Sequence, residues 1–299
     1  MDKNLAPIVL FIYNRPWHTQ QTVETLQKNE LANESELFIY SDAAKNEQAS
    51  ESVNAVREYI KTINGFKEIT IILRDKNWGL ADSIIDGVTE VVNKYGKIIV
   101  LEDDLVTSPY FLKFMNDALK FYRYENDVFH INGWNNPIDT DKLPNVYFSR
   151  IAYSWAWATW DNRWKNFNSD SKIYINQFSK ENIKEFNIEG TYDMWGQMIR
   201  NHKKLLNTWA VFWNAEVFIK NKLALNNNLN LVKNIGTDGS GENCGVDPIY
   251  LNQKLNDHQS FYQFPTKIVH HDLAFEKLQI LIKSKKLSLI SRLLDKLKQ

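Results

Sequence analysis

Short apolar runs alternate with longer segments of helical period through the first third of the chain. The runs are nearly continuous in hydrophobicity and rich in β-branched residues, which is typical of strands buried on both faces. They are IVLFIY (8–13), LFIYS (37–41), ITIIL (69–73) and KIIVL (97–101). Apolar residues recur at helical spacing in 17–30, 47–62 and 80–94. The alternation predicts a Rossmann-like α/β fold, in which a mostly parallel sheet is flanked by helices.

Beyond residue 125 the pattern changes. VFHINGW (128–134) predicts another strand, and AYSWAWATWDNRW (152–164) concentrates four tryptophans. The four glycines of NIGTDGSGENCG (234–245) predict a flexible loop, and residues 276–299 have the pattern of an amphipathic helix. We therefore divide the chain into a first half (1–125), a second half (126–272) and a C-terminal helix (273–299).

The composition narrows the class of protein. Lys+Arg and Asp+Glu balance at 36 each, which argues against a nucleic-acid partner. The single cysteine, Cys244, has no partner for an intrachain disulfide, which favours a reducing compartment. The sequence has neither a signal-peptide pattern at its N-terminus nor an apolar stretch long enough to span a membrane. We expect a cytoplasmic protein.

Three adjacent acids, Glu102, Asp103 and Asp104, directly follow the fourth apolar run. Two unit charges about 4 Å apart repel by roughly 4 kcal/mol at an effective dielectric constant near 20. A solvated turn is one explanation. The other is a cation site for Mg²⁺ or Mn²⁺, which prefer oxygen ligands and share them with substrate phosphates. Arg15 and Asp42 follow the first two runs, so all these side chains are expected at the ligand-binding edge of the sheet.

Taken together, these segments resemble the GT-A fold of nucleotide-sugar glycosyltransferases. The similarity is to the N-acetylglucosaminyltransferase I family and to bacterial glycosyltransferases of O-antigen and capsule synthesis, and it covers residues 6–250. PIVLFIYNRP, LFIYSDAA and EDDLVTSPYFLKFM resemble the family's first strand, second strand and metal segment. SWAWATW resembles a bacterial signature, and the loop 234–245 resembles a lid over the donor.

The resemblance implies a role for each matching residue. Arg15 would lie near the nucleotide, and Asp42 would bind the uracil. Asp104 would be the ligand of Mn²⁺ or Mg²⁺, while Glu102 and Asp103 would contact the sugar and the ribose. The donor would therefore be a nucleotide sugar, with UDP favoured through Asp42.

Inverting transfer also needs a base that removes the proton of the acceptor hydroxyl. The family's base is an Asp in a Trp-Asp-Asp-Trp context, and GTYDMWGQM (190–198) takes the corresponding place. Asp193 is thus the predicted base, although Met194 replaces the second acid, and Asp238 and Asp247 are alternatives. A structural alternative is that Asp193 caps a helix that begins at Met194.

Further contacts are predicted from residue type and position. Trp155 and Trp157 suit stacking on an acceptor sugar, although their alternating spacing also fits a strand with one face in the core. Asn77, in KNWGLADS (76–83), is predicted to touch the nucleotide unless this segment is a plain turn.

The sequence therefore predicts an inverting, metal-dependent hexosyl- or N-acetylhexosaminyltransferase that acts on a glycan or lipid-linked glycan in bacterial surface polysaccharide synthesis. A sugar nucleotidyltransferase is an alternative, but such enzymes usually carry a glycine-rich loop after the first strand, where this chain has YNRPWHT. A second alternative is a non-catalytic carbohydrate-binding protein, but this hypothesis gives no reason for three adjacent acids at the end of a buried strand.

The C-terminal segment adds a prediction about location. Within 277–299, seven Lys and Arg residues accompany one acid, Asp295, on an apolar helix. This pattern is typical of a helix that lies in an anionic membrane surface. We expect the protein to be peripheral on the inner face of the cell membrane. The alternative is that the helix packs on its own domain or on a second subunit.

Overall fold

The computed structural model describes residues 5–241 and 245–297, and for residues 287–297 it describes only the backbone. The strands are β1 (Ile8–Ile12), β2 (Glu36–Ser41), β3 (Glu68–Leu73), β4 (Lys97–Glu102), β5 (Leu105–Thr107), β6 (Val128–Asn132), β7 (Val146–Ser149), β8 (Trp157–Trp160), β9 (Leu223–Asn227) and β10 (Val232–Asn234). The helices are α1 (Pro16–Gln27), α2 (Glu47–Ile60), α3 (Leu80–Tyr95), α4 (Phe111–Phe121), α5 (Asp161–Trp164), α6 (Ser171–Gln177), α7 (Lys180–Phe186), α8 (Met194–His202), α9 (Ala210–Ile219), α10 (Pro248–Leu251) and α11 (Asp272–Leu297).

An eight-stranded sheet has the order β3-β2-β1-β4-β8-β6-β9-β7. Its first four strands are parallel, with Ile8 of β1 opposite Leu37 of β2 and Ile99 of β4. Strand β8 runs antiparallel between β4 and β6, so one sheet continues through both halves of the chain. The predicted α/β architecture with a mostly parallel sheet is confirmed.

The side chains of β1 show how the sheet is covered on both faces. Ile8, Leu10 and Ile12 point into one core, where they join apolar residues of α1, α2 and α4. Val9 and Phe11 point into a second core with residues of α3 and α9. Because every β1 side chain is buried, the strand is continuously apolar and not alternating.

A third core lies away from the parallel strands and joins α6 to α9 with the start of α11. Ala274 and Leu278 of α11 are buried in it. Lys277 fixes the same helix from outside through an ion pair with Asp139. The first part of α11 therefore packs on the chain's own domain, which was the alternative explanation for this segment.

The prediction of a C-terminal helix is confirmed, but its amphipathic character is not. Most of the leucines and three of the basic residues of that prediction lie beyond residue 286, where side chains are outside the described part of the chain. Within the described residues, no helix is both long enough and apolar enough to cross a membrane.

Candidate functional site

A cavity of about 330 Å³ opens at the carboxyl ends of β1, β2 and β4. This is the edge at which open parallel sheets bind ligands. Six residues predicted from the sequence line it together: Arg15, Asp42, Asn77, Glu102, Asp103 and Asp104. Trp155 lines the same cavity from the second half of the chain. The fold therefore brings together side chains from five separate segments of the chain.

Arg15 and the acid cluster (Glu102, Asp103 and Asp104) form the floor of this cavity. Asp103 and Asp104 are only 5% and 6% exposed. Nη2 of Arg15 donates to Oδ1 of Asp103 and, over 2.9 Å, to Oδ2 of Asp104. Burial opposes the charge on Arg15, but the two neighbouring carboxylates raise its pKa. Arg15 thus serves as an internal counter-ion.

One guanidinium does not balance three carboxyl groups. Burial, followed by repulsion from Asp104 and Asp103, raises the pKa of Glu102 to about 8. Burial and the charge of Asp103 also raise the pKa of Asp104. An oxygen-only cluster with surplus negative charge fits a further cation such as Mg²⁺ or Mn²⁺. Among the described residues, no three His, Cys, Asp or Glu side chains already stand in a metal-binding arrangement.

Asp42 and Asn77 meet where β2 ends and α3 begins. Oδ1 of Asp42 accepts from the backbone N–H of Trp78 over 2.9 Å, and Oδ2 accepts from that of Gly79 over 2.8 Å. The amide of Asn77 donates to Oδ2 of Asp42 and to the carbonyl of Ala43. Asp42 therefore fixes the turn before α3, and both side chains remain in the cavity wall.

Residues 234–241 of the glycine-rich segment pack directly over the acid cluster. The backbone N–H of Ile235 donates to the carbonyl of Asp104 over 2.8 Å. A Cβ on Gly236 would lie 2.1 Å from Oδ2 of Asp104, so glycine is required by this close approach. Oδ2 of Asp238 lies 3.1 Å from Nε2 of His18 on α1. The segment therefore covers the cluster, and its role as a lid over the donor stays a prediction.

The two predicted acceptor-binding tryptophans lie in different surroundings, because β8 begins only at Trp157 and Ala156 before it has a positive φ of 51°. Trp155 lies in the cavity wall and packs edge-on against Trp134 at 4.4 Å and Tyr250 at 5.3 Å between ring centroids. Trp157 is 1% exposed and stacks on His130. The prediction for Trp157 is therefore corrected, because its ring is part of the core and not open to a ligand.

Asp193 is the N-cap of α8, as the structural alternative proposed. Its carboxylate accepts from the backbone N–H of Gly196 over 2.8 Å, and its side chain is exposed. Asp193 is not among the residues that line the cavity, whereas Gln197 on the next turn is. Asp238 is held by His18 and Ser240, and the hydrogen bond from Ser240 lowers its pKa to about 2. Asp247 forms an ion pair with Lys285.

Sequence reasoning missed much of the opposite wall of the cavity. Ser154, Gln197 and the Asn207–Ala210 turn contribute amide, hydroxyl and aromatic groups there. Gln197 lies on α8, residues 207–209 lie between α8 and α9, Ala210 begins α9, and Ser154 precedes β8. Nothing in their types or spacing distinguishes them from ordinary polar helix and loop residues. Packing in the second and third cores, and not a local motif, positions α8 and the start of α9.

No family model matches this sequence, and no curated protein matches it. Solved structures similar to it include the mannosyltransferase PcManGT from Pyrobaculum calidifontis in complex with GDP-Man and Mn2+, with 11% identity and a TM-score of 0.41 over 73% of this chain and 70% of that chain. TarS of S. aureus has 14% identity and a TM-score of 0.29 over 42% of this chain and 21% of that chain. S. aureus TarS 1-349 has 12% identity and a TM-score of 0.33 over 52% and 47%.

This chain thus spans less than half the length of each TarS chain. Similarities at these scores do not establish an activity. They also do not single out the N-acetylglucosaminyltransferase I family, so that resemblance rests on the sequence motifs.

Proposed function

We propose that this protein is an inverting, metal-dependent glycosyltransferase that uses a nucleoside-diphosphate sugar as donor. One observation carries the proposal: a buried acid cluster with surplus negative charge lies in the same cavity as Asp42, Asn77 and Trp155. A donor of this class needs a nucleoside site, a site that neutralises its diphosphate and an adjacent site for the acceptor. The three groups of side chains match these needs.

Each side chain has a stated task in this proposal. Asp42 and Asn77 hold the nucleoside, with uridine favoured through the resemblance of Asp42 to a uracil-binding Asp. Glu102 and Asp103 contact the sugar and the ribose, while Arg15 offers Nη1, which is buried without a hydrogen-bond partner, towards the diphosphate. Asp104 would hold a divalent cation, which when bound supplies Lewis-acid stabilisation of the leaving diphosphate. Trp155 stacks on an acceptor sugar.

A screen of nucleotide sugars tests this function. We expect UDP-sugars to raise the melting temperature of the full chain, and to do so more in the presence of Mn²⁺, because a ligand that binds only the folded state stabilises it. Release of UDP from the same donors would be measured in parallel. If no nucleoside-diphosphate sugar stabilises the protein while a nucleoside triphosphate does, nucleotidyl transfer replaces this proposal.

The proposal assigns the general base to Asp193. The supporting observation is that Asp193 caps α8, the helix whose residue Gln197 lines the cavity. Asn is as good an N-cap as Asp, so Asp193→Asn keeps the cap of α8 but removes the base. We expect this variant to lose kcat by about 10² to 10⁴ while its affinity for UDP is unchanged.

Asp193→Ser is the matched control, because Ser also caps helices but is not a base. It should lose kcat to the same extent as Asp193→Asn and melt like the unmodified protein. A near-normal kcat in both variants would move the role to Asp238 or Asp247, and the corresponding Asn variants would then decide between them.

A further part of the proposal is that the end of α11 lies on an anionic membrane, beside a lipid-linked acceptor in polysaccharide synthesis. Truncation after Lys286 removes Arg292, Lys296 and Lys298 but keeps the packed residues Ala274 and Leu278. Each basic residue near such a surface contributes roughly 1 kcal/mol. We expect the truncated protein to fold and to stop sedimenting with vesicles that contain anionic lipid. Equal sedimentation of the full and truncated chains would contradict membrane binding by this segment.

A further inference from the structure

Lys285, on α11, contacts two side chains that in turn touch parts of the candidate active site. Its Nζ forms an ion pair with Oδ2 of Asp247 and lies 3.7 Å from the centroid of the Tyr250 ring. The Lys285 and Asp247 side chains are 21% and 25% exposed, so this contact is partly shielded from water. Burial opposes the charge on Lys285, but the hydrogen bond to Asp247 raises its pKa. The ammonium group is therefore charged.

The first of these groups, Tyr250, supports the wall of the cavity. Its ring packs edge-on against Trp155 at 5.3 Å and Trp134 at 5.5 Å. Its hydroxyl donates to Oδ1 of Asn136 over 3.1 Å. Because Trp155 lines the cavity, the Tyr250 ring supports that aromatic wall together with Trp134.

The second group, Asp247, supports the glycine-rich segment. Its backbone N–H donates to the carbonyl of Thr237 over 3.1 Å. Thr237 directly follows Gly236, whose backbone packs against the carboxylate of Asp104. The ammonium group of Lys285 therefore contacts both Tyr250, which packs on the aromatic wall, and Asp247, which holds the segment over the acid cluster.

We propose that Lys285 is a positioning residue for acceptor binding, and that it acts through Tyr250 on Trp155 and through Asp247 on the segment 234–241. This inference rests on the proposed glycosyl transfer. A partly desolvated cation over an aromatic ring is an attractive interaction that depends on the charge. Loss of that charge leaves Tyr250 and Asp247 without the group that fixes them together. The acceptor is affected more than the donor, because Tyr250 packs directly on Trp155. The segment 234–241 is also held to the acid cluster by the hydrogen bond from Ile235 to Asp104.

The test compares Lys285→Met with Lys285→Arg in the full chain. Met keeps the apolar stem and loses the charge, whereas Arg keeps a charge that can pair with Asp247 and stack on Tyr250. Lys283→Met is the matched control, since Lys283 lies on the same helix with an exposed side chain. We expect Lys285→Met to raise the KM for the acceptor by a factor about ten times larger than its effect on the KM for the donor. Lys285→Arg should return the KM for the acceptor most of the way to that of the unmodified protein.

A readout that does not depend on activity separates this inference from the proposed function. Acrylamide quenching of tryptophan fluorescence is measured for each Lys variant and for the same variant carrying Trp155→Phe as well. The difference between the two gives the exposure of Trp155 to the quencher. Lys285→Met should increase quenching of Trp155, and Lys283→Met should not. If Lys285→Met matches Lys283→Met in quenching, the inference is overturned, whether or not transfer is observed. If quenching rises but the acceptor and donor KM change equally, the assignment to acceptor binding is overturned.

Discussion

Replacing Asp104 by Asn should lower kcat for glycosyl transfer by about three orders of magnitude. In the proposed mechanism this carboxylate holds the cation that stabilises the leaving diphosphate, a contribution of several kcal/mol, and about 4 kcal/mol corresponds to roughly a thousandfold change in rate. The substitution preserves shape and removes one of the buried negative charges, so the variant should melt at or above the temperature of the unmodified protein. Initial rates with saturating donor and the melting temperature are the two measurements.

Asp127→Asn provides the control for the loss of one carboxylate, because Asp127 is an exposed partner of Lys222 and is not among the residues that line the cavity. It should retain full activity. EDTA should abolish transfer by the unmodified protein, and Mn²⁺ or Mg²⁺ should restore it. Full activity in chelator would contradict the metal assignment, and full activity of Asp104→Asn would contradict the choice of residue.

Replacing Arg15 by Gln should have the largest effect on folding stability. Removing one partner of a buried ion pair leaves uncompensated charge and typically costs 3 to 5 kcal/mol. Arg15 is the counter-ion of both Asp103 and Asp104, and its side chain is 18% exposed. We expect the free energy of unfolding to fall by about 3 kcal/mol at pH 8, measured by urea denaturation.

The loss in Arg15→Gln should shrink as the pH falls. Carboxyl groups whose pKa is raised in the folded state contribute stability below their unfolded pKa, and that stability is lost as the pH rises through the folded pKa. For Glu102 this window extends from its ordinary value to about 8. Lys222→Gln, which breaks the exposed pair with Asp127, should cost less than about 1 kcal/mol at every pH. An Arg15→Gln defect that is equally large at pH 5 and pH 8 would contradict electrostatic compensation as its cause.

The parallel half of the fold was predictable because its signals are local. Each of the first four strands is a continuous apolar run, and the three helices between them have a clear period, so observed boundaries such as Glu47–Ile60 lie close to those predicted. The grouping of Arg15, Asp42 and the acid cluster follows from the rule that parallel strands end at one edge.

The opposite wall was not predictable in the same way. Residues 155 and 157 would share one face of a regular strand, but β8 begins only at Trp157, and Ala156 before it has a positive φ of 51°. The residue types do not show this local break, which leaves Trp155 in the cavity wall and Trp157 in the core. The link from Lys285 to Tyr250 joins a helix to a loop across the chain, and no periodicity reports such a contact. For Asp193, the cap was visible in the sequence, because Asp before an apolar helical segment is a common N-cap.

The place of β8 between β4 and β6 has a consequence for synthesis on the ribosome. Residues 1–104 complete the four parallel strands and the acid cluster, but β4 stays an open edge until Trp157–Trp160 emerges and pairs with it. Domains tend to fold from the N-terminus as the chain is made. Arg15 belongs to this first folding unit, so the three acids gain their counter-ion long before the glycine-rich segment or Lys285 has been translated. The nascent chain can therefore pair its most repulsive side chains with a counter-ion early and complete its active site last.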